Sequence, residues 1–208
     1  FRGCAFPIGI PPEKIATFFR SACQKNGIRA IKFHHNLTGI DSLTKKGEEL
    51  INATLMVASE LNLPIVLHGG RSLGIEPVES REYGTVSRLA MVNWSISTTP
   101  VILSHVCCYG LTSTEAGKAL VILNNLLEKH PNLMADTSNL EPPILRLVLE
   151  NISPNRLVFG SDALYVPIWK AWLNFLQTLQ SVSTRPDDDL IRIASLNPAR
   201  CLSLSLDL

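Results

Sequence analysis

Five apolar segments of the sequence each run into a histidine or an aspartate. The last of them reaches Asp162, a residue that is costly to bury unless a cation pairs with it. Imidazole and carboxylate groups bind metal ions and transfer protons. Polar endings in series indicate the carboxyl-end face of a parallel β/α barrel, where such barrels hold their catalytic residues. The segments are IKFHH (31–35), PIVLHGG (64–70), PVILSHV (100–106), NLMADTS (132–138) and RLVFGSD (156–162).

Predicted strands and helices alternate along the whole chain, and the polar residues lie where the strands end. Such alternation predicts an α/β fold with parallel strands, here six strand–helix units where a closed barrel has eight. We predict a single TIM-barrel domain over residues 1–208. The predicted strands are 2–6, 28–34, 65–68, 101–105, 133–136 and 157–159, and 36–42 is a predicted loop. The main predicted helices are 13–26, 44–61, 79–97, 112–129, 143–151 and 167–181.

The amino-acid composition limits which binding partners and which cellular compartment are expected. The chain has 208 residues, 46% of them hydrophobic and 18% charged, which is enough for one sizeable core. A net charge of +1 gives no electrostatic reason to expect nucleic acid or an acidic membrane as partner. The five cysteines form no Cys-x-x-Cys pair, so we expect free thiols and a cytoplasmic location. Cys107 is either one of these buried thiols or part of the site lining beside His105.

The order of the motifs resembles the amidohydrolase-2 (amidohydrolase-related) branch of the metal-dependent hydrolase superfamily. The resemblance covers nearly the whole chain and rests on IKFHHNLTGIDS, LPIVLHGG, PVILSHVCCYG, NLMADTSNL, RLVFGSDALY and IASLNPARCLSL. It implies a (β/α)₈ barrel that binds a divalent metal ion, usually zinc. The first strand of that family ends in a His-x-His or Glu-x-His pair, which this sequence lacks. We therefore expect the first one or two strand–helix units to be absent from this sequence.

The resemblance also implies roles for three residues. His68 matches a metal ligand, and Asp162 matches a metal ligand that also accepts a proton. His105 matches the histidine that acts on the metal-bound water or on the substrate, so His105 and Asp162 are the predicted catalytic residues. His105 as a further metal ligand without proton chemistry stays open. A bound metal ion lowers the pKa of its water from 15.7 to about 7, which makes hydroxide available at neutral pH.

Further residues are predicted to contact the substrate. Lys32 and His34 share one face of a strand whose other face is apolar, which directs both into the barrel or its mouth. Arg71 follows two glycines after a strand, where its guanidinium could hold a carboxylate in two-pronged fashion. A structural ion pair for Lys32 and an exposed loop position for Arg71 are the alternatives. Asp136 is predicted to orient a metal ligand or His105 through a hydrogen bond.

The leading predicted function is metal-dependent hydrolysis of an amide, ester or lactone in a small molecule, including carboxylate-bearing ones. One alternative keeps the site and changes the reaction to nonoxidative decarboxylation of an aromatic or muconate-like acid. Another is a metal-free, degenerate barrel with a binding role. Sequence does not separate these functions, because specificity resides in loops. A homo-oligomer stays open, with the apolar tail 202–208 as one surface for it.

Overall fold

Six parallel strands form one sheet in which each strand lies beside the next one along the chain. The structure is a computed structural model that describes residues 4, 5 and 7–204. Strand order without reversal is the arrangement of a β/α barrel, so these strands form an arc of one. The predicted parallel α/β fold is confirmed. The strands are β1 (Cys4–Ala5), β2 (Ala30–Phe33), β3 (Ile65–Leu67), β4 (Val101–Leu103), β5 (Leu133–Asp136) and β6 (Leu157–Val158).

Helices connect successive strands, and their ends follow local sequence signals. Thr112 and Glu115 form a complete capping box at the start of α5, and Gly27 ends α1 with a left-handed φ of 62°. The helices are α1 (Ile15–Asn26), α2 (His35–Thr38), α3 (Lys45–Glu60), α4 (Val86–Leu89), α5 (Ser113–Lys129), α6 (Pro142–Asn151), α7 (Ile168–Val182), α8 (Pro186–Ile191) and α9 (Asn197–Leu202). A π-helical turn, Arg192–Leu196, joins the last two. Among the described residues, none of these helices has the length and hydrophobicity needed to cross a bilayer.

The two faces of the sheet differ in what covers them. The outer face packs with the helices into the main hydrophobic core, through residues such as Ile31, Ile65, Val101 and Leu133. A smaller cluster lies on the inner face and consists of Ile102, Met134 and Val158 with Cys201, and with Val66 at its margin. Lys32 is in register with Val66 on this inner face, as strand alternation predicts.

The prediction of one helix over residues 79–97 is wrong. The segment instead forms a 3₁₀ turn at Val78–Glu82, the short α4 and a second 3₁₀ turn at Trp94–Ile96. Gly84 makes a backbone bridge to Gly70, which holds this segment against the loop after β3. Trp94 is fully buried and donates its Nε1–H to the Leu89 carbonyl. Tertiary contacts therefore override the helical pattern of the sequence here.

The structure differs from the prediction at the loop after β2, and it describes only part of the predicted first strand. The predicted loop 36–42 is wrong at its start, because α2 occupies His35–Thr38 and ends at Gly39 with a φ of 66°. The predicted first strand, 2–6, coincides with β1 only at Cys4–Ala5, and its remaining residues lie outside the described part of the chain. Residues 205–208 of the apolar tail also lie outside it.

Candidate active site

Three histidine side chains converge at the carboxyl ends of consecutive strands. His34 directly follows β2, His68 directly follows β3, and His105 lies two residues beyond β4. The rings of His34 and His68 stack with centroids 3.9 Å apart, and the ring of His105 lies edge-on to His68 at 5.0 Å. We call these three residues the imidazole cluster. Parallel strands in register bring residues that are far apart in sequence to one edge of the sheet.

The imidazole cluster is built to hold neutral rings at its first two positions. Burial lowers the pKa of His34 to about 3 and that of His68 to about 2, and the nearby Lys32 ammonium adds to both shifts. Nε2 of His68 lies 3.1 Å from the Ser72 hydroxyl. Neutral imidazole is the form that binds metal ions and accepts protons.

His105 is presented by a backbone turn of unusual conformation. His105, Val106 and Cys107 have φ values of 56°, 43° and 58°, so three consecutive residues lie in the left-handed region. A β-branched residue such as valine disfavours this region, and such strain is characteristic of functional sites. Gly69 permits the close approach of the neighbouring loop, because a Cβ there would lie 2.6 Å from the Ser104 carbonyl oxygen. The turn brings the ring of His105 against His68.

Asp136, at the end of β5, stabilises this turn through hydrogen bonds. The side chain is buried, and its Oδ1 accepts hydrogen bonds from the backbone N–H of His105 (2.8 Å) and of Ser138 (3.0 Å). The Ser138 hydroxyl also donates to Oδ1. Nδ1 of His105 in turn lies 2.9 Å from both the carbonyl oxygen and the hydroxyl of Ser138. Asp136 therefore contacts His105 through its backbone and through Ser138.

Asp162 stands at the same edge, four residues beyond β6. Its φ of 56° is left-handed, and its Oδ2 accepts a hydrogen bond of 2.9 Å from the Asn139 side-chain amide. The side chain is half-buried. Asp162 and Asp136 are both close enough to Lys32 to raise the pKa of that ammonium, although burial, the larger effect, lowers it. Lys32 and the two aspartates thus share the inner face.

Lys32 and Arg71, the two cationic residues predicted to contact the substrate, differ in whether they are already paired with carboxylates. Among the described residues, Lys32 forms no ion pair. Arg71 is already paired twice, with its Nε 2.7 Å from Glu82 and its Nη1 2.8 Å from Glu115. A substrate carboxylate at Arg71 would have to share the guanidinium with these two glutamates. The substrate-binding roles of Lys32, His34 and Arg71 stay predictions.

Sequence reasoning missed two residues of the site. The ring of Tyr109 lies 5.0 Å from that of His105 and 5.6 Å from that of His68, so it forms a wall of the imidazole cluster. Ser138 is the second. It lies two residues beyond Asp136, a spacing that is typical of side chains sharing one face. No sequence signal marks Tyr109, because its position follows from the left-handed turn before it.

Comparison with known proteins identifies the family. The profile of the amidohydrolase family Amidohydro_2 matches residues 1–204. The chain belongs to the amidohydrolase family. A search of curated proteins finds no significant match.

Solved structures with the amidohydrolase fold resemble this chain at low sequence identity. The 5-carboxyvanillate decarboxylase of Sphingomonas paucimobilis superposes with a TM-score of 0.62 at 13% identity, over 98% of this chain and 66% of that one. An amidohydrolase of Burkholderia multivorans gives 0.57 at 14%, over 98% and 84%. The 5-carboxyvanillate decarboxylase of Novosphingobium aromaticivorans gives 0.62 at 11%, over 98% and 65%. The chain thus spans about two thirds of the length of the two decarboxylases.

Metal ions are present in two of these amidohydrolase-fold structures, zinc in the B. multivorans protein and manganese in the N. aromaticivorans decarboxylase. In this chain the donors suit a divalent ion in type, since His68 is a neutral imidazole and Asp162 a carboxylate. They do not suffice in number. Within residues 4, 5 and 7–204, no three His, Cys, Asp or Glu side chains are grouped closely enough to hold a metal ion. Within the described residues, His68 and Asp162 are therefore two donors of suitable type without a complete set of metal ligands.

Proposed function

We propose that the protein hydrolyses an amide, ester or lactone bond of a small molecule at the imidazole cluster and depends on a divalent metal ion. The observation that carries this proposal is the convergence of three histidines with Asp136 and Asp162 at one edge of a parallel sheet. Packing alone gives no reason to gather these polar side chains where β/α barrels hold their catalytic residues. Membership of the amidohydrolase family supports the same reaction class.

In this proposal His105 and Asp162 accept and return the proton of the attacking water. His105 presents a ring whose Nδ1 is occupied by Ser138, so Nε2 is the nitrogen left for the proton. Asp162 is half-buried, and its Oδ2 accepts a hydrogen bond from the Asn139 side chain. His68 and Asp162 are the proposed metal ligands, and zinc is the proposed ion.

Lys32 favours a substrate that carries a carboxylate. It lies on the inner face, where burial lowers its pKa and no ion pair within the described residues neutralises it. Asp136 and Asp162 lie near this ammonium without pairing with it directly, and a carboxylate-bearing substrate would supply a direct ion-pair partner. His34 and Arg71 are proposed to contact the same substrate from the loops after β2 and β3.

The same cation supports a second candidate function, the nonoxidative decarboxylation of an aromatic or muconate-like acid. Lys32 would then hold a carboxylate of the acid. The N. aromaticivorans decarboxylase structure contains a substituted nitrobenzoic acid, which is a ligand of this chemical class. Hydrolysis and decarboxylation differ in their products, because only decarboxylation releases CO₂.

An activity screen tests the proposal. Lactones, amides and carboxylated aromatic acids are offered to the protein with zinc or manganese added, and product formation and CO₂ release are measured. His105→Gln should lower kcat by about a hundred-fold or more. His130→Gln is the matched control, because His130 lies at the end of α5 and ahead of β5, on the opposite edge of the sheet. Equal activity of both variants and the wild type would contradict the proposal.

Compartment and assembly are proposals as well. We propose a cytoplasmic location on the basis of the free cysteines, three of which are buried. A homo-oligomer is the open alternative to a monomer, and light scattering coupled to size-exclusion chromatography measures the difference.

A further inference from the structure

The hydrogen bonds around His105 determine which of its ring nitrogens carries the proton. We propose that Ser138 is a positioning residue that, together with Asp136, fixes His105 as the tautomer protonated on Nδ1. The proposal deepens the proposed function, because it names the atom of His105 that is left to accept a proton from water. It also names a residue of the site that the strand-end histidines and aspartates do not include.

The Ser138 carbonyl oxygen lies 2.9 Å from Nδ1 of His105, and a carbonyl oxygen can only accept a hydrogen bond. Nδ1 must therefore carry a hydrogen. A neutral imidazole has one N–H, so Nε2 is then the unprotonated nitrogen.

The Ser138 hydroxyl lies between the imidazole of His105 and the carboxylate of Asp136. The hydroxyl donates to Oδ1 of Asp136, because an ionised carboxylate accepts and does not donate. Its oxygen, 2.9 Å from Nδ1, is then free to accept from His105. The hydrogen bonds run in one direction, from the imidazole through Ser138 to Asp136. This direction opposes the other tautomer, in which Nδ1 would meet two oxygens without a hydrogen between them.

Buried neighbours hold this chain of hydrogen bonds in place. Ser138 and Asp136 are both buried, and Oδ1 of Asp136 also accepts the backbone N–H of His105 and of Ser138. The same carboxylate oxygen thus holds the backbone of the left-handed turn and the hydroxyl that contacts the ring. Gly160, beyond β6, leaves room for this arrangement, because a Cβ there would lie 2.9 Å from the Ser138 Cβ.

The consequence for the reaction is a defined starting state of His105. Among the described residues, the ring hydrogen bonds of His105 all involve Nδ1. Nε2 is then available as a proton acceptor on a ring that packs against His68 and Tyr109. A histidine fixed in this form acts first as a base and only afterwards as an acid.

The test is nitrogen NMR of the full chain with ¹⁵N-labelled histidine, recorded at pH 8. Loss of a signal in His105→Gln assigns the resonances of His105 among the five histidines. In the wild type we expect a protonated Nδ1 and an unprotonated Nε2. A wild-type His105 protonated on Nε2 would overturn the proposal.

Two variants then isolate the contribution of Ser138. Ser138→Ala removes the hydroxyl and keeps the backbone carbonyl, so the Nδ1–H proton should exchange with solvent about ten-fold faster. Thr137→Val is the matched control, because the neighbouring Thr137 is also buried and its hydroxyl has no hydrogen-bond partner within the described residues. Equal exchange rates in the two variants would show that the hydroxyl of Ser138 does not position His105.

These readings are independent of substrate and of activity. A protein with the expected tautomer and no activity in the screen would contradict the proposed function and retain the role of Ser138. An active protein with His105 protonated on Nε2 would do the reverse. Gly160→Ala perturbs Ser138 from the loop after β6, and it should speed the exchange of the His105 Nδ1–H proton, as Ser138→Ala does. His105 signals unchanged in Gly160→Ala would contradict the proposed packing.

Discussion

The imidazole rings of His34 and His68 stack face to face, with centroids 3.9 Å apart and planes 6° from parallel. Two imidazolium cations at this distance would repel each other, the more so where little water screens them. Burial first, and the neighbouring Lys32 in addition, lowers the pKa of both rings, to about 3 and about 2. At neutral pH the stack is therefore an uncharged pair whose nitrogens can act as ligands or as hydrogen-bond partners.

Lowering the pH from 7 to 4.5 should destabilise the fold, and His35 should contribute to the loss alongside His34 and His68. His35 is fully buried, and burial lowers its pKa to about 4, so the folded protein keeps it neutral below pH 6.5 while the unfolded chain takes up a proton. The contribution of His35 to the free energy of unfolding is then fully present above pH 6.5 and is lost as the pH falls toward 4. The loss from this residue is at most about 3 kcal/mol. Urea unfolding at a series of pH values measures it.

His35→Asn is the control for the pH experiment. Asparagine can still donate to the Ile40 carbonyl, which Nδ1 of His35 approaches at 3.3 Å, and it does not titrate in this range. The variant should be less stable than the wild type at pH 7, because its contact with Phe33 is lost. It should also lose less stability on acidification. An unchanged slope between pH 6.5 and 4 would rule out His35 as a source of the loss.

Gly70→Ala should disturb the candidate site and destabilise the fold. Gly70 has a φ of 103°, and a Cβ there would lie 2.5–2.9 Å from three backbone atoms of Tyr109. Backbone atoms cannot move aside as a flexible side chain can, so strain and crowding together should cost about 2–4 kcal/mol. Thermal and urea unfolding measure the loss.

Gly74→Ala provides the matched comparison for Gly70. It lies in the same loop, and a Cβ there would meet nothing within 4 Å. The free energy of unfolding should stay within about 0.5 kcal/mol of the wild type. Similar losses in the two variants would mean that the loop after β3 is not packed against Tyr109.

Lys32→Met should separate substrate binding from stability. Burial disfavours the ammonium, so its removal should leave the free energy of unfolding unchanged within about 1 kcal/mol or raise it. If Lys32 holds a substrate carboxylate, KM for carboxylate-bearing substrates should rise by about ten-fold to a hundred-fold. Steady-state kinetics with charged and neutral substrates measures this, and an equal rise of KM for both would contradict a charge contact.

The parts of the site that depend on local sequence were predictable. His34, His68, Asp136 and Asp162 each end or follow an apolar run, and the alternation of strand side chains places Lys32 inward. These features depend on a few neighbouring residues and on the register of parallel strands.

The parts that depend on tertiary contacts were not predictable. Nothing in the residue types of His105, Val106 and Cys107 predicts three left-handed residues, since valine disfavours that conformation. The turn is stabilised by a hydrogen bond to Asp136, 31 residues further along the chain. The pairing of Arg71 with Glu115 joins residues 44 apart and is equally invisible in the sequence. Positions with strained backbone and long-range pairing are where local rules are expected to fail.

We propose that the edge carrying His68 and Asp162 binds a divalent metal ion, and equilibrium titration with zinc and with manganese tests this claim most directly. The control for a His68→Ala, Asp162→Ala double variant is His130→Ala, Asp187→Ala, which removes the same residue types elsewhere. The described residues supply two proposed ligands and not a complete set, so we predict weak binding of one ion per chain for the wild type and the control. The double variant should bind at least about ten-fold more weakly still. A folded wild type that binds neither ion, or a double variant that binds as tightly as the wild type, would contradict the claim.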